Sequence, residues 1–422
     1  MPDFDIAISL TESELNQVTK SVYEAVYPDI FRGHDTIKHE GLTISVDWKV
    51  ETPPTFDLSG SQAVASRVVG HLADRAAEQS GEAKDAADLR AAAEAHVAAF
   101  EMVFPRITFS TDKNDDETFS LENVQADCRA EQAGDTVSFI VEKVTAEHAK
   151  GPSGYIVENV ILPAMKNILN NLFSGLKIPP PQLAHAELSS LSLGVEDGHL
   201  VAAANLAGKG PPPPPNSGAW TAAPFTVLVS QDALQAAGGD MGKHKSDSGG
   251  GGKKPWGAYH WSYGYRLDHP HIDIAGKDLH VTFDLQGGID AGVEVMFVKI
   301  GLGYMAKVVP KAQALCTIEP RGTDLHIVTQ SVTPFEVVVK PTGHVPSKVA
   351  GWMLEGIAQG IAASLSPMIS TFLGGIDVAS ISVPTYEESI AGHAITMTPS
   401  DLSVSSTLGD IALSGSLDVS VS

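Results

Sequence analysis

The sequence predicts an α+β protein made of two repeated units. Three observations predict it. At 422 residues the chain exceeds the roughly 250–300 residues at which one hydrophobic core stops growing. Most of it alternates apolar and polar residues with period two, the mark of strands with one buried and one wet face. One order of elements also occurs on both sides of five consecutive prolines, Pro211 to Pro215.

The elements follow in order. Phe4 to Leu10 alternates and reads as a strand. Thr11 to Tyr27 reads as a helix, because Thr11 and Glu14 form a capping box and Leu15, Val18, Val22 and Val26 recur every three or four residues. Leu42 to Val50 is a strand. Residues 59–100, rich in Ala, Glu, Asp and Arg, read as an exposed helical insertion. Strands follow at Arg106 to Ser110 and Thr136 to Val144, then an apolar helix at Tyr155 to Leu176. Leu188 to Leu193 and Leu200 to Leu206 are strands, with an Asp197-Gly198 turn between.

Residues 208–218 form a proline-rich linker of polyproline II type. They divide a first unit, 1–207, from a second, 219–422. Phe225 to Val229 is a strand and Ser230 the N-cap of a helix. Residues 238–254, with glycine at every position from 249 to 252, read as a flexible surface loop. Strands follow at His280 to Leu285, Val293 to Ile300, Ala312 to Ile318, Leu325 to Val332 and Phe335 to Lys340. A long apolar helix runs from Ser347 to Leu373. Glu355, Gln359 and three serines interrupt it and Pro367 would kink it, so it does not read as a membrane span. Leu402 to Val404 and Ile411 to Leu413 form a closing hairpin. Each half is thus strand, helix, β meander, long apolar helix, hairpin.

Composition bounds the function. Apolar residues make up 43% and charged residues 19%, which describes a folding, core-rich chain. Lys+Arg number 28 against Asp+Glu 51, a formal net charge of −23. That excludes nucleic acid as a partner, since such binding rests on cationic contacts to phosphate. It also limits membrane contact to a transient one. Cys128 and Cys316 make no disulfide framework and no zinc spacing; each lies in a β pattern and reads as buried and inert, a reducing compartment is the natural reading, and a single bridge between them stays open. Met1 to Asp5 lacks the basic and apolar regions of a secretory signal, so a cytoplasmic location is expected.

The passages Ile161 to Leu206 and Ile361 to Leu413, with the proline linker between them, carry a resemblance. The plan is similar to the tubular lipid-binding (TULIP) superfamily. That superfamily includes the bactericidal/permeability-increasing protein group and bacterial toxin-cluster accessory proteins. The resemblance implies two units in tandem, each a long curled antiparallel sheet wrapped on a long apolar helix. It implies a non-enzymatic role: binding a lipid or other elongated hydrophobic molecule in the seam between helix and sheet, with no cofactor. The chain departs from the basic, secreted members, because residues 1–210 hold 32 acidic and 16 basic residues.

Candidate seam residues are Val18, Val22, Ile161, Met165, Ile168, Leu169, Leu172 and Phe173 in the first unit. In the second they are Trp352, Met353, Ile357, Ile361, Leu365, Met368 and Phe372. Methionine adapts to irregular apolar shapes, and Gly351, Gly356, Gly360, Ala362 and Ala363 would leave room. Burial contributes about 0.8 kcal/mol per CH₂, so an acyl chain needs no charged partner.

Two other classes remain. One is a protein-interaction role, as accessory or chaperone of a larger secreted or toxin-type complex. The other is a metal-dependent enzyme using His269, His271 and Asp273, which would share one strand face at zinc-ligand spacing. The neighbouring Trp256, Tyr259, Trp261, Tyr263 and Tyr265 suggest a surface or edge patch.

Overall fold

The computed structural model describes residues 4–29, 31–39, 42–80, 98–111, 118–133, 136–147, 157–173, 182–183, 187–189, 191–196, 198–210, 212, 220, 222–238, 244–253, 257–267, 270–275, 278–295, 298–309, 311–342, 348–373, 377–383, 385–390, 392–407 and 410–422. The first half runs β1 (Ile6–Thr11), α1 (Glu12–Val26), β2 (Arg32–His39), β3 (Leu42–Val50), β4 (Thr55–Asp57), α2 (Ser61–Ser80), β5 (Ala98–Thr111), β6 (Phe119–Ala133) and β7 (Thr136–Glu147). A π-helical turn, Val157–Ile161, leads into α3 (Leu162–Phe173), then β8 (Gln182–Leu183), β9 (Ser192–Glu196) and β10 (His199–Ala204). The second half opens with β11 (Phe225–Val229), α4 (Gln231–Gly238), β12 (His244–Lys253), β13 (Gly257–Leu267), β14 (His271–Ala275), β15 (Asp278–Phe283) and β16 (Leu285–Val295). It continues with β17 (Val298–Val309), β18 (Ala312–Arg321), β19 (Asp324–Val332), β20 (Glu336–Pro341) and α5 (Lys348–Leu373). It closes with β21 (Asp377–Ser382), β22 (Tyr386–Ile390), β23 (His393–Thr407) and β24 (Asp410–Val421). The chain is α+β, mostly strands with few helices, and has a strongly curled half-barrel sheet.

Strands join into four antiparallel sheets. A central seven-stranded sheet has the order β22-β23-β24-β11-β1-β10-β9. The opening strands of the two halves lie side by side at its middle, Ile8 opposite Val227. Each is flanked by its own half's closing hairpin, Ile8 by Ala202 and Val227 by Leu413. The first half builds a sheet β2-β3-β5-β6-β7, with β4 also on β5. The second half builds β12-β13-β16-β17-β20 and β14-β15-β18-β19-β21; the first half's β8 joins the latter at β21.

Local chemistry explains the capped elements. The Glu14 backbone N–H donates to Thr11 Oγ1 at 3.2 Å, which starts α1. Ser230 Oγ accepts from the Ala233 N–H at 3.1 Å and starts α4 in the same way. Gly198, at φ +76°, makes the tight turn between β9 and β10 that a side chain would strain. Asp5, 4% exposed, ties the halves together: its carboxylate accepts from Leu206 N at 2.8 Å, Lys209 Nζ at 2.9 Å and Ser230 Oγ at 3.1 Å. Lys209 also donates to Asp232 at 2.7 Å.

Several expectations change. The glycine-rich 238–254 stretch holds a strand, β12, where a flexible loop was expected. Gly249 and Gly251 lie opposite Trp261 and Tyr259, and the hydrogen-bond ladder to β13 supplies the order that glycine lacks. Val293 to Ile300 is two strands, because β16 ends at Val295 and β17 begins at Val298. Alternation that runs unbroken through a tight hairpin hides the turn. The helical insertion ends sooner than 100, since β5 starts at Ala98. Residues 81–97, most of the proline linker, Asp115 to Glu117 and Ser347 lie outside the described residues. α5 runs through Pro367 on its exposed side, where water can satisfy the carbonyl that proline frees.

Burial also places a titrating group. Asp410, 5% exposed at the start of β24, has its carboxyl pushed up to about 6 by burial. An acid with a raised folded-state pKa binds protons more tightly when folded, so its charge costs stability as pH rises through 6. Asp410→Asn is expected to stabilise the protein at pH 7.5 by on the order of 1–2 kcal/mol, and by much less at pH 4. Thermal melts of both proteins at the two pH values check this.

Candidate functional site

The site is built around α5. Leu354, Ala358, Ile361, Ala362, Leu365, Ile369 and Leu373 recur at helical spacing and are all buried. This face packs on β16, β17 and β20 of one sheet and on β19 of another. Among the described residues those two sheets share no ladder hydrogen bonds, so the helix bridges a break between them. At 26 residues it is about 39 Å long.

The sheet wall under α5 is aromatic. Trp261, Tyr263 and Tyr265 alternate with small or polar residues along β13, so their rings stack in one row on one face. Ring centroids are 5.8 Å apart for Trp261 and Tyr263, and 6.3 Å for Tyr263 and Tyr265. Tyr263 and Tyr265 are buried, at 4% and 5% exposure, and Trp261 is partly buried, so these three of the expected surface patch form an inner wall; Trp256 and the side chain of Tyr259 lie outside the described residues. The reason is strand register: Trp261, Tyr263 and Tyr265 lie opposite Ala291, Ile289 and Gly287, small or aliphatic neighbours that let the rings lie flat under a helix. Tyr263 Oη is 3.7 Å from Met368 Sδ. Tyr304, 3% exposed on β17, faces the same space opposite Ile289. Burial raises its phenol pKa, and the charge of Glu355 on α5 adds to the shift. Burial likewise raises Tyr265. Both phenols stay neutral at physiological pH.

Among the seam candidates on α5, Ile361 and Leu365 are buried and Met368 is partly buried. The side chains of Trp352, Met353, Ile357 and Phe372 lie outside the described residues. Gly356, Gly360 and Ala363 sit on the exposed side of the helix, away from the sheet, and so leave no room in the seam. Helical period explains this: they fall between the buried positions.

A second contact of the same kind involves α3, which packs on β7. Ile161, Met165 and Leu169 are buried there, at 2%, 4% and 3% exposure. The side chains of Ile168, Leu172 and Phe173 lie outside the described residues. Asn170 completes the edge strand: its Oδ1 accepts from Val141 N at 2.7 Å and its Nδ2 donates to Val141 O at 3.1 Å. Lys166 Nζ donates to Glu142 O at 2.7 Å. The first-half helix is therefore pinned by polar bonds, whereas the contact of Tyr263 with Met368, from the β13 wall to α5, is soft, a phenol on a thioether. On α1, Val22 is half-buried against the main core and Val18 is half-buried; the deeper positions are Leu15, Tyr23 and Val26.

The apolar core is continuous. One cluster of touching buried side chains runs from Phe100, Phe104 and Phe109 in the first half, through Val227 and Leu413 in the central sheet, to Tyr263, Leu365 and Ile369. The far face of the central sheet carries a smaller cluster of Phe4, Ala7, Val201, Ala203, Leu228 and Ala412, with Trp220 stacked on Phe4 at 6.2 Å.

The metal candidates do not converge. His271 and Asp273 are exposed on β14, with His280 opposite Asp273, and His269 lies outside the described residues. Among the described residues no three His, Cys, Asp or Glu side chains are grouped to hold a metal ion. Cys128 and Cys316 are buried free thiols. Burial raises both, Cys316 to about 11, so neither is a thiolate at neutral pH. Among the described residues no helix is long and apolar enough to cross a membrane.

No family model and no curated protein matches the sequence. Solved structures with a similar chain course include P47 of Clostridium botulinum E1, at TM-score 0.43 and 7% identity over 99% of this chain and 100% of that one. P47 from Clostridium botulinum A2 aligns at TM-score 0.40 and 7% identity, over 98% and 97%. A lipopolysaccharide binding protein aligns at TM-score 0.32 and 9% identity, over 98% and 99%.

Proposed function

We propose that the chain is a non-enzymatic binder of an elongated hydrophobic molecule, of the lipid class, held against α5. The observation that carries this reading is the placement of that helix. It lies across the break between two sheets, over a wall of stacked aromatic rings, and turns an apolar face to them. Such a helix can be lifted by inserting an apolar chain, because dispersion and burial are regained on both sides. Ten methylenes removed from water contribute about 8 kcal/mol before the cost of association is subtracted. The phenol of Tyr304, kept neutral by burial, offers a hydrogen bond to a carbonyl or hydroxyl without the cost of burying charge.

The two units are read as a duplication. The central sheet supports this, for its order from hairpin to opening strand to opening strand to hairpin is alike from either direction. Each opening strand is followed by a helix capped by a hydroxyl, Thr11 in one half and Ser230 in the other. On this reading α3 and α5 are equivalents. On this reading the second unit, whose α5 presents a buried apolar stripe, holds the ligand, while α3 is clamped to β7 by polar bonds. Titration with an environment-sensitive fluorescent fatty acid tests the function. Saturable enhancement, reversed by unlabelled fatty acid, is expected; a probe that stays dark at all protein concentrations contradicts it.

A further inference from the structure

We infer that α1, α3 and α4 guard sheet edges, and that the occupant they exclude is a strand of a second copy of this chain. β7 and β14 end their sheets, and β4 pairs with β5 alone, so each turns a row of backbone N–H and C=O groups away from its own sheet. Such a row is a template for another strand. Among the described residues no strand lies against these three edges. A side-chain amide does.

Asn16 on α1 exchanges two bonds with one residue of β4: Nδ2 donates to Phe56 O at 3.1 Å, and Oδ1 accepts from Phe56 N at 2.6 Å. Asn170 on α3 treats Val141 of β7 in the same way. An opposed residue of an antiparallel strand would make these same two bonds. Gln235 on α4 spans two residues of β14's edge: Nε2 donates to Pro270 O, and Oε1 accepts from Ile272 N at 2.8 Å. One turn earlier, each opening helix supplies a second acceptor. Glu12 Oε2 takes Leu58 N at 2.9 Å, and Gln231 Oε1 takes Ile274 N at 3.3 Å. The positions match, for both guards are the first and fifth residues after a capping hydroxyl, that of Thr11 or Ser230. One arrangement thus covers edges in two different sheets. On β7 the guard is wider: Glu142 is skipped in the pairing with β6, and its carbonyl accepts from Lys166 Nζ at 2.7 Å. Apolar contact suffices to dock a helix, whereas an amide set on both ladder groups acts on the strand. A second copy is the occupant to exclude, because every copy carries the same edge and two equal edges paired antiparallel close into a two-fold dimer.

Gln231→Ala with Gln235→Ala bares the β14 edge and adds no large apolar side chain. Light scattering of the full-length variant is expected to give about twice the parent's mass at high concentration and the parent's mass on dilution. Adding Ile274→Pro removes an outward N–H, leaves the ladder to β15 intact and should restore the parent's mass at every concentration. Asn170→Ala opens β7 and should associate in the same way. Hydrogen exchange reads the guard in the unaltered protein: the amides of Phe56, Val141 and Ile272 should exchange as slowly as ladder-paired amides of the same strands. Rapid exchange there would overturn the proposal. So would alanine variants that keep the parent's mass at all concentrations, whether or not they melt lower. Association that persists with Ile274→Pro would overturn it too, since a loosened chain would then be sticking without using the edge. None of these readouts involves a lipid, so they stand apart from the ligand reading.

Discussion

Replacing Arg67 by alanine is expected to destabilise the protein by about 3 kcal/mol and to release α2 from the sheet beneath it. The helix rests on a small apolar patch, Val64, Val68 and Ala99. Its anchor is electrostatic. Arg67 Nε donates to both carboxylate oxygens of Asp127 at 3.0 Å, and Nη2 donates to Asp127 at 2.6 Å and to Glu101 at 2.9 Å. Asp127 is buried, Glu101 nearly so, and Asp57 stands opposite Glu101 in register. The imidazole of His71 also lies near Asp127, with Nε2 3.6 Å from the carboxylate. Deleting the guanidinium leaves a desolvated carboxylate cluster. The estimate is at the low end of such losses because Arg67 is itself nearly half exposed. The sign with pH follows. Burial raises Glu101 while Arg67 holds it down, so in the variant it would rise further. A raised carboxyl costs stability above its pKa, so the defect should be largest at neutral pH and shrink in acid. Arg67→Lys keeps charge without the bidentate fork and should lose less. Denaturant melts and hydrogen exchange across residues 61–80 check these outcomes. Exchange in α2 that matches the parent would contradict the anchoring role.

Leu365→Ala is the second large effect. Leu365 is 3% exposed at the centre of the α5 contact and belongs to the continuous core. Truncation removes transfer energy and leaves a cavity, together about 2–5 kcal/mol. An apolar cavity stays dry and takes up apolar guests. The variant should therefore melt lower than the parent yet bind small hydrophobic probes at least as well. Added fatty acid should recover part of the loss, about 2.7 kcal/mol at one hundred times Kd. The polar-clamped α3 gives the contrast: Leu169→Ala should destabilise comparably without improving probe uptake. Equal uptake gains in both variants would contradict the assignment of the ligand to α5.

Local signals were legible where side-chain pattern and backbone need agree. Thr11 caps α1 as expected, but the box is half formed, since the Glu14 carboxylate accepts from Leu417 N at 2.7 Å and the Thr11 N–H donates to Pro224 O; Leu42–Val50 and Phe225–Val229 have the bounds that alternation shows. The buried stripe of Ile361, Leu365 and their neighbours follows from helical period. Signals failed where a partner supplies the order. The glycines of β12 have no pattern of their own and are held by β13. The aromatic row at Trp261, Tyr263 and Tyr265 reads as an edge patch until β16 is known to lie beside it. Its i, i+2 spacing could have shown that the rings share a face, but not that the face is covered. Tyr304 joins the site only through pairing of β17 with β16, and no local window reveals the side-by-side placement of β1 and β11.

The central claim is that a hydrophobic molecule occupies the α5 seam. Native mass spectrometry of the full chain tests it most directly, with protein purified without detergent and then incubated with mixed natural lipids. A discrete mass increment of a lipid is expected, displaced by excess fatty acid and altered in stoichiometry or stability by Leu365→Ala. Protein that flies at its sequence mass under all gentle conditions, before and after incubation, would contradict it.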